Sequence, residues 1–325
     1  MTRAARPPFE IAGNNVPAGR RVQLELPIAQ LMSGTPVASP VIVLHGKTDG
    51  PVVWLSAVVH GDELCGVEII RRVLESVDPK VMSGTVIAVP IVNVHGFNTG
   101  DRYLPDRRDL NRSFPGSLRG SLAGRIAHLM MSEVVSRCSV GIDLHTGSDH
   151  RINLPQVPAD LDDEPTHDLA RVFGASISMH SRTRDGSLRQ AATEIGATTL
   201  LFGGGEANRF DETAIASGTG GVLRVLAHLN MIDPDLAPNR PRGKKVQSRS
   251  SSWVRAPRSG ILHLNAELGG LVDKGEIIAT VHDPFGKRLS TIRNRAAGMV
   301  VGHTQHPLVN RGDAVVHVAA VAGSG

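Results

Sequence analysis

Hydrophobic residues in the first two thirds of the chain alternate between short continuous runs and runs with helical spacing. Residues 52–59 form a continuous apolar run of strand length, which is typical of a strand buried on both faces. From Leu64 to Val77 the apolar residues recur at helical spacing, which predicts a helix that starts at Asp62 or Glu63 and ends before Pro79. A strand, a turn and a helix in this order indicate an α/β protein.

The same alternation repeats along this part of the chain. It predicts an α/β fold with a mixed, largely parallel sheet and helices on both faces, because alternating strands and helices pack in that way. The polar stretch from Asn93 to Gly120 shows neither period and is predicted to be a long loop. The predicted strands are 21–26, 40–44, 85–92, 140–144 and 198–202, and the predicted helices are 122–136, 166–173 and 211–229.

The pattern changes after Ile232. Residues 234–252 are rich in Pro, Ser and basic residues and have no periodicity, which predicts a linker at 241–252. It would join a first domain at 1–240, which includes an N-terminal β lead, to a tail at 253–325. Short Val and Ile runs broken by glycines predict that the tail is a small all-β domain, a barrel or sandwich.

Composition narrows the classes of function. Aromatic residues make up only 3%, which argues against a surface that stacks nucleic-acid bases. The net charge of +4 arises largely from a basic run between residues 240 and 258, interpreted as a solvated linker rather than a nucleic-acid site. No run approaches the roughly 18 apolar residues of a membrane span, so we expect no membrane partner and a cytoplasmic location. Two cysteines are too few for a disulfide framework.

Two histidines and a glutamate follow the ends of buried strands. His60 and Glu63 come after the run at 52–59, and His145 comes after the strand at 140–144. Open α/β sheets bind ligands at the carboxyl ends of their strands, and two His with one carboxylate leave an open zinc position. Each residue alone is more often an ordinary hydrogen-bonded side chain, and these ligands also accept other divalent ions. Asp143 shares a strand face with His145, either to orient its imidazole or as an ordinary acid.

The predicted loop between these two strands is dense in arginine. An arginine fork binds a carboxylate through two parallel hydrogen bonds, so Arg102 and Arg112 are candidate anchors for an acidic substrate group, with Asn111 as a hydrogen-bonding partner. The alternative is an exposed charged loop whose arginines pair with its own aspartates. The spacing does not choose between these two interpretations.

Three sequence blocks, VVHGDELCG, DLNRSFPG and IDLHTG, resemble signatures of the succinylglutamate desuccinylase/aspartoacylase family of zinc carboxypeptidase-like hydrolases. The later GGGEANRFDE and the DPFG of the tail extend the resemblance over most of the chain. The resemblance implies a zinc carboxypeptidase-like first domain with one zinc per chain, held by His60, Glu63 and His145. The residues that it implies face the substrate's carboxylate and carbonyl are Arg102, Asn111 and Arg112.

Members of this family cleave the amide bond of a small N-acylated compound, so the resemblance implies a deacylase with a small-molecule N-acyl substrate that carries a carboxylate. Zinc would polarise the carbonyl and acidify its bound water, and a glutamate would pass the proton to the departing amine. For the β tail two roles are considered, covering the entrance of the site and forming a homo-oligomer. A carboxypeptidase-like activity is a further hypothesis, with the tail restricting access to small substrates.

One position departs from the family pattern. Relatives carry a Glu-x-Gly step at the end of the strand that here reads TTLLFGGGE, and Gly203 takes the place of that glutamate. Glu206 is the nearest acid and is the candidate catalytic base. If it does not serve, the chain is a slow enzyme, an enzyme that uses another acid, or a pseudoenzyme or regulatory protein that binds without turnover.

Overall fold

The computed structural model describes residues 6–240 and 246–321, and all of its α-helices lie between residues 65 and 228, interspersed with strands. The strands of the first part are β1 (Phe9–Ile11), β2 (Asn14–Val16), β3 (Arg20–Gln30), β4 (Pro36–His45), β5 (Thr48–Ala57), β6 (Ser83–Val89), β7 (Val140–His145), β8 (Arg151–Ala159), β9 (Ile177–His180) and β10 (Thr198–Glu206). Its α-helices are α1 (Cys65–Ser76), α2 (Val94–Thr99), α3 (Leu122–Glu133), α4 (Glu164–Phe173), α5 (Leu188–Glu194) and α6 (Glu212–His228).

The later part contains strands only, apart from a short 3-10 helix at Pro234–Leu236. These strands are β11 (Val246–Ser248), β12 (Ser251–Arg255), β13 (Gly260–Leu264), β14 (Leu271–Val272), β15 (Ile277–His282), β16 (Arg288–Arg293), β17 (Gly298–Thr304), β18 (Leu308–Val309) and β19 (Ala314–Ala319). The prediction of an all-β tail is confirmed.

The central sheet has parallel strands in its middle and antiparallel strands on both sides. β6, β5, β7 and β10 lie side by side in that order and run parallel. β4 and β3 continue the sheet antiparallel beyond β6, while β8 pairs antiparallel with β10. The predicted mixed, largely parallel sheet is therefore confirmed, and the carboxyl ends of the parallel strands meet at one edge.

Helices cover both faces of this sheet, as predicted. Side chains alternate along a strand, so neighbouring residues of β5 enter different cores. Leu55 packs with apolar residues of α1, α4 and α6, and Trp54 packs with those of α3 and α5. Both side chains are fully buried. No helix in residues 6–240 and 246–321 combines the length and the apolar character that a membrane crossing requires.

Several elements lack a clear sequence pattern. The predicted loop 93–120 contains α2, whose N-terminus is capped by the Asn93 side chain accepting from Gly96 N at 2.8 Å, and a 3-10 helix at Leu110–Arg112. β8 carries two prolines and polar residues, which weaken the strand pattern. Its position is set by pairing with distant strands, and this pairing cannot be predicted from local sequence.

The tail is continuous with the central sheet. β17 pairs antiparallel with β8, and β19 and β12 follow, whereas β16, β15, β13 and β18 form a separate sheet. The predicted linker 241–252 contains β11, which pairs parallel with β9, and the start of β12. Residues 241–245 lie outside the described residues, with the basic side chains predicted there. The domain boundaries stay a prediction, but residues 246–252 are largely strand.

Candidate metal centre

The structure brings His60, Glu63 and His145 together at one sheet edge. β5 and β7 are adjacent and parallel, so the residues that follow β5 meet the last residue of β7. His60 Nδ1 lies 2.7 Å from Glu63 Oε1, and His145 Nδ1 lies 2.6 Å from Glu63 Oε2. Donor atoms from the three side chains all lie within 4.8 Å of one another, and all three residues are buried. The cluster predicted from the two strand ends therefore exists as a compact group.

The turn between β5 and α1 explains how His60 and Glu63 reach the same point. A Cβ atom on Gly61 would lie 2.0 Å from the carbonyl carbon of Gly96, so only glycine fits beneath that segment. Val58 has a φ of 55°, a left-handed conformation that costs a β-branched residue on the order of 1–3 kcal/mol. Its carbonyl accepts from Asn93 N at 2.8 Å. The helix begins at Cys65, two residues after Glu63, the later of the two predicted starts. Glu63 instead belongs to the turn, and its side chain lies in the cluster.

The outward nitrogens of both imidazoles are held by carboxylates. His60 Nε2 lies 3.0 Å from Asp109 Oδ1, and His145 Nε2 lies 2.7 Å from Asp143 Oδ2. Metal-ligating histidines in proteins are held in this way, with one ring nitrogen on a carboxylate and the other toward the metal. Asp143 was predicted for this role as one of two alternatives. Asp109 was not, because its loop gives no local sign of which histidine it meets.

Electrostatics favour positive charge at this point. Burial alone would lower the pKa of His60 and of His145, but the surrounding carboxylates outweigh it and raise both pKa values, that of His145 well above its ordinary value. Burial would raise the pKa of Glu63, but the two imidazoles hold it well below its usual range. A divalent cation would supply the same positive charge in place of the imidazole protons. The donor set of two nitrogens and a carboxylate fits Zn²⁺, and other divalent ions also accept it.

The predicted substrate residues lie in a cavity of about 840 Å³ above the cluster. Arg102 Nη2 donates to Asp109 Oδ2 at 2.9 Å, and Arg102 Nη1 lies 3.7 Å from Glu63 Oε1, so this guanidinium is part of the cluster's surroundings. Asn111 Oδ1 accepts from Leu188 N at 2.9 Å and thereby holds the start of α5. Arg112 lines the cavity without a carboxylate partner among the described residues.

The β tail forms one wall of this cavity. Trp253 and Arg255 of β12 line it, together with His306, Leu308 and Asp313. The backbone links the two parts, since Gln305 N donates to His150 O at 2.7 Å. This placement supports the role of covering and shaping the entrance.

β10 brings no acid to the cavity. Leu201 and Gly203 line it, Leu201 beside Asp143 and Gly203 beside His145 in the parallel pairing with β7. The strand is irregular between Gly203 and Gly205, and it ends at Glu206.

The structure does not bring Glu206, the acid predicted as the base, to the cluster. Glu206 is absent from the described residues that line the cavity, and its Oε2 lies 3.4 Å from Arg209 Nε. The register of β10 shifts between Gly203 and Gly205, and Glu206, three residues after Gly203, does not share the cavity with the cluster.

Sequence comparison decides the family. The model described as the succinylglutamate desuccinylase/aspartoacylase catalytic domain matches residues 49–229, more than half of the chain. The chain belongs to this family. The matched range holds all three residues of the cluster together with Arg102, Asn111 and Arg112, so the resemblance noted in the sequence is confirmed.

Relatives within the family extend over nearly the whole chain. The N-alpha-acetyl-L-2,4-diaminobutyric acid deacetylase of Halomonas elongata is 27% identical over an alignment of 315 positions that covers 93% of this chain and 91% of that protein. The crystal structure of a succinylglutamate desuccinylase/aspartoacylase from Rhodobacter sphaeroides has a TM-score of 0.83 at 27% identity, covering 93% of this chain and 96% of that one.

A third relative shares the fold. The product-bound ectoine utilization protein EutE (DoeB) from Ruegeria pomeroyi has a TM-score of 0.84 at 24% identity, covering 97% of this chain and 99% of that one. The match spans the β tail as well as the central sheet, so the tail belongs to the architecture that these family members share.

Proposed function

We propose that this protein is a zinc-dependent deacylase that hydrolyses the amide bond of a small N-acylated compound carrying a carboxylate. The observation that carries the proposal is the orientation of His60 and His145, which turn their Nδ1 atoms to Glu63 at the base of an arginine-lined cavity. The family supports the reaction class. A relative named as a deacetylase of an acylated amino acid supports the kind of substrate.

The cluster would hold one Zn²⁺ per chain through His60, Glu63 and His145. A bound zinc ion supplies Lewis acidity to an amide carbonyl and to water. Asp109 and Asp143 would keep the two imidazoles in the tautomer that leaves Nδ1 free for a metal, since each carboxylate accepts from Nε2–H.

The arginine-rich loop would bind the substrate. Arg112 lines the cavity and has no carboxylate partner in the described part of the chain. Its Nη1 donates to Asn111 O, and the remaining N–H groups of its guanidinium are available to a substrate carboxylate. Arg102 is shared with Asp109 and lies close enough to the cluster to meet the carbonyl end of the substrate. Asn111 contributes a side-chain amide to the same wall.

Metal content and hydrolysis of N-acylated amino acids test the proposal together. We expect about one zinc per purified chain, and we expect His60→Ala to lose both the metal and the activity. His263→Ala is the matched control, because His263 is exposed on β13 and does not line the cavity. Normal zinc content in His60→Ala would remove the assignment.

A second candidate function is metal binding without turnover. The observation that favours it is that both cavity-facing positions of β10, Leu201 and Gly203, lack an acid, while Glu206 faces Arg209. A glutamate at 203 has room, because a Cβ there meets no atom closer than 3.9 Å.

Gly203→Glu and Leu201→Glu discriminate between the two candidates. A general base contributes about 100-fold or more, so activation of that size in either variant would show that the natural protein lacks the base. Under the deacylase proposal the natural protein already hydrolyses its substrate. Gly203→Glu then lowers that rate by filling the cavity.

A further inference from the structure

A gap separates the metal cluster from a buried amide at the end of β10. Gly203 pairs with His145 of β7 on one side and with Gln156 of β8 on the other. Directly paired residues face the same side of a sheet, and neighbouring strands lie about 4.8 Å apart. His145 and Gln156 therefore face each other across the width of a strand that carries no side chain. We call the space above Gly203 the glycine recess.

The glycine recess is open rather than filled by neighbours. A Cβ on Gly203 would meet Asn153 Nδ2 and the Cγ of Gln156 at 3.9 Å, and nothing closer. Asn153 Oδ1 lies on the other side, where a Cβ on Gly302 of β17 would come within 2.7 Å of it. The side-chain carbonyl of Asn153 therefore faces Gly302, where only a glycine leaves room for it, and its Nδ2 faces the recess.

Gln156 is buried with an unused hydrogen-bonding atom. The residue is 4% exposed and lines the cavity, and its Oε1 is buried with no hydrogen-bond partner among the described residues. A buried acceptor without a partner costs on the order of 1–3 kcal/mol. In this orientation Oε1 is covered, but a 180° turn of the terminal amide exchanges Oε1 with Nε2, and a cavity occupant can then satisfy the acceptor.

We infer that the glycine recess is a substrate subsite for a short branch that ends in an uncharged carboxamide. This inference rests on the proposed function and names part of its substrate. A carboxamide offers N–H groups to Gln156 Oε1 and a carbonyl to Asn153 Nδ2, so it matches both side chains. Leu201, one cavity-facing position earlier on β10, provides an apolar wall for the methylene groups of the branch.

The side-chain atoms nearest a Cβ on Gly203 belong to neutral amides, those of Asn153 and Gln156. The rest of the cavity lining carries charges of both signs, Arg151 and Arg184 as well as Asp143 and Asp149. A charged branch in the recess would exchange its water for neutral amides alone, which favours an uncharged branch.

Matched pairs of compounds test the subsite on the zinc-loaded full chain. N-acetyl-L-glutamine and N-acetyl-L-methionine place the branch on the amine side, while N-succinamoylglycine and N-(4-methylpentanoyl)glycine place it on the acyl side. Dissociation constants come from calorimetry at low temperature and kcat/KM values from hydrolysis. In at least one pair we expect the amide compound to bind, or to be hydrolysed, about tenfold or more better than its apolar partner. The apolar compound leaves the side-chain amides of Gln156 and Asn153 without hydrogen-bond partners.

Gln156→Leu is the decisive variant. We expect this variant to lower the affinity for the preferred amide compound by about tenfold, and to change the affinity for its apolar partner by less than about twofold. Gln156→Met serves if the leucine variant does not fold. Gln23→Leu, on an exposed position of β3, is the matched control and should change neither compound.

Two outcomes would overturn the subsite. One is the absence of any amide preference in the natural protein, which would mean that the recess holds only water. The other is an equal loss for both members of a pair in Gln156→Leu, which would indicate a purely structural role. If no compound is hydrolysed, the proposed function fails, while the calorimetric preference and its dependence on Gln156 still decide the subsite.

Discussion

The two ends of the cavity floor differ in how completely their polar groups are satisfied. At the β5–β7 end, each imidazole of His60 and His145 has a carboxylate on both ring nitrogens, at 2.6–3.0 Å. At the β10–β8 end, Gln156 Oε1 has no partner among the described residues, and Gly203 leaves open space beside it.

This difference separates the part of the site that is built in advance from the part that a ligand completes. Buried charges need partners, and the imidazoles of His60 and His145 are held by Asp109 and Asp143 without any ion present. A buried neutral amide without a hydrogen-bond partner costs less free energy than a buried charge without one, so it can remain unpaired until a substrate binds. We therefore expect variants at the metal end to act on the metal, and variants at the glycine recess to act on substrate choice and stability.

Removing the shared carboxylate should have the largest effect. In Glu63→Ala both imidazoles lose their common partner, and we expect zinc affinity to fall by about 100-fold or more, with loss of hydrolysis. Zinc titration by calorimetry measures this. Glu68→Ala, in α1 but outside the cavity lining, is the control. Unchanged affinity in Glu63→Ala would place the metal elsewhere.

The two orienting carboxylates should have intermediate effects. Asp109→Asn and Asp143→Asn each weaken the fixation of one imidazole, and changes of this kind cost about 10–100-fold in metal affinity. Asp106→Asn, on the exposed part of the same loop as Asp109, should bind zinc normally. If Asp109→Asn matched this control, the contact between Asp109 and His60 would not matter for the metal.

Metal affinity should increase with pH. The pKa values of His60 and His145 are raised above the ordinary 6.5, and zinc binds only the deprotonated nitrogens. Protons therefore compete below the raised pKa values, and affinity should still rise above pH 6.5, by up to about tenfold per pH unit for each proton displaced. Calorimetric titration over this range measures it. A zinc affinity that no longer increases above neutral pH would contradict the raised pKa values of the two histidines.

The glycine recess predicts a smaller effect on stability. Gln156→Leu removes a buried acceptor without a partner, so it should raise the free energy of unfolding by about 1 kcal/mol. Urea unfolding of the zinc-loaded protein measures the change, with Gln23→Leu as the exposed control. A decrease of similar size would show that Gln156 is already hydrogen-bonded in the free protein.

Glu206 should have the smallest effect of all. Because its carboxylate faces Arg209 rather than the cavity, Glu206→Gln should change kcat/KM by less than about twofold. Steady-state hydrolysis measures this. A loss of about 100-fold or more, typical of a removed general base, would restore the assignment made from the sequence.

Local patterns account for what the sequence predicted well. The apolar run at 52–59 and the helical spacing after it reflect burial within one strand and one helix, and β5 and α1 form there. His60, Glu63 and His145 were predictable as a group because parallel strands bring their carboxyl ends to the same edge.

Contacts between distant segments account for what it did not predict. The partner of Asp109 depends on the path of its loop, which is held by bonds to distant segments such as the one from Leu188 N to Asn111 Oδ1. β8 has polar residues and prolines where it lines the cavity, and its neighbour β17 lies far along the chain. Neither local period nor spacing carries that information.

Zinc titration of the metal-free full chain, with His60→Ala and His263→Ala measured beside it, tests the central claim most directly. We predict one zinc per chain for the natural protein and for His263→Ala, and no such site in His60→Ala. An unchanged site in His60→Ala, or no zinc binding by the natural protein, would contradict the account.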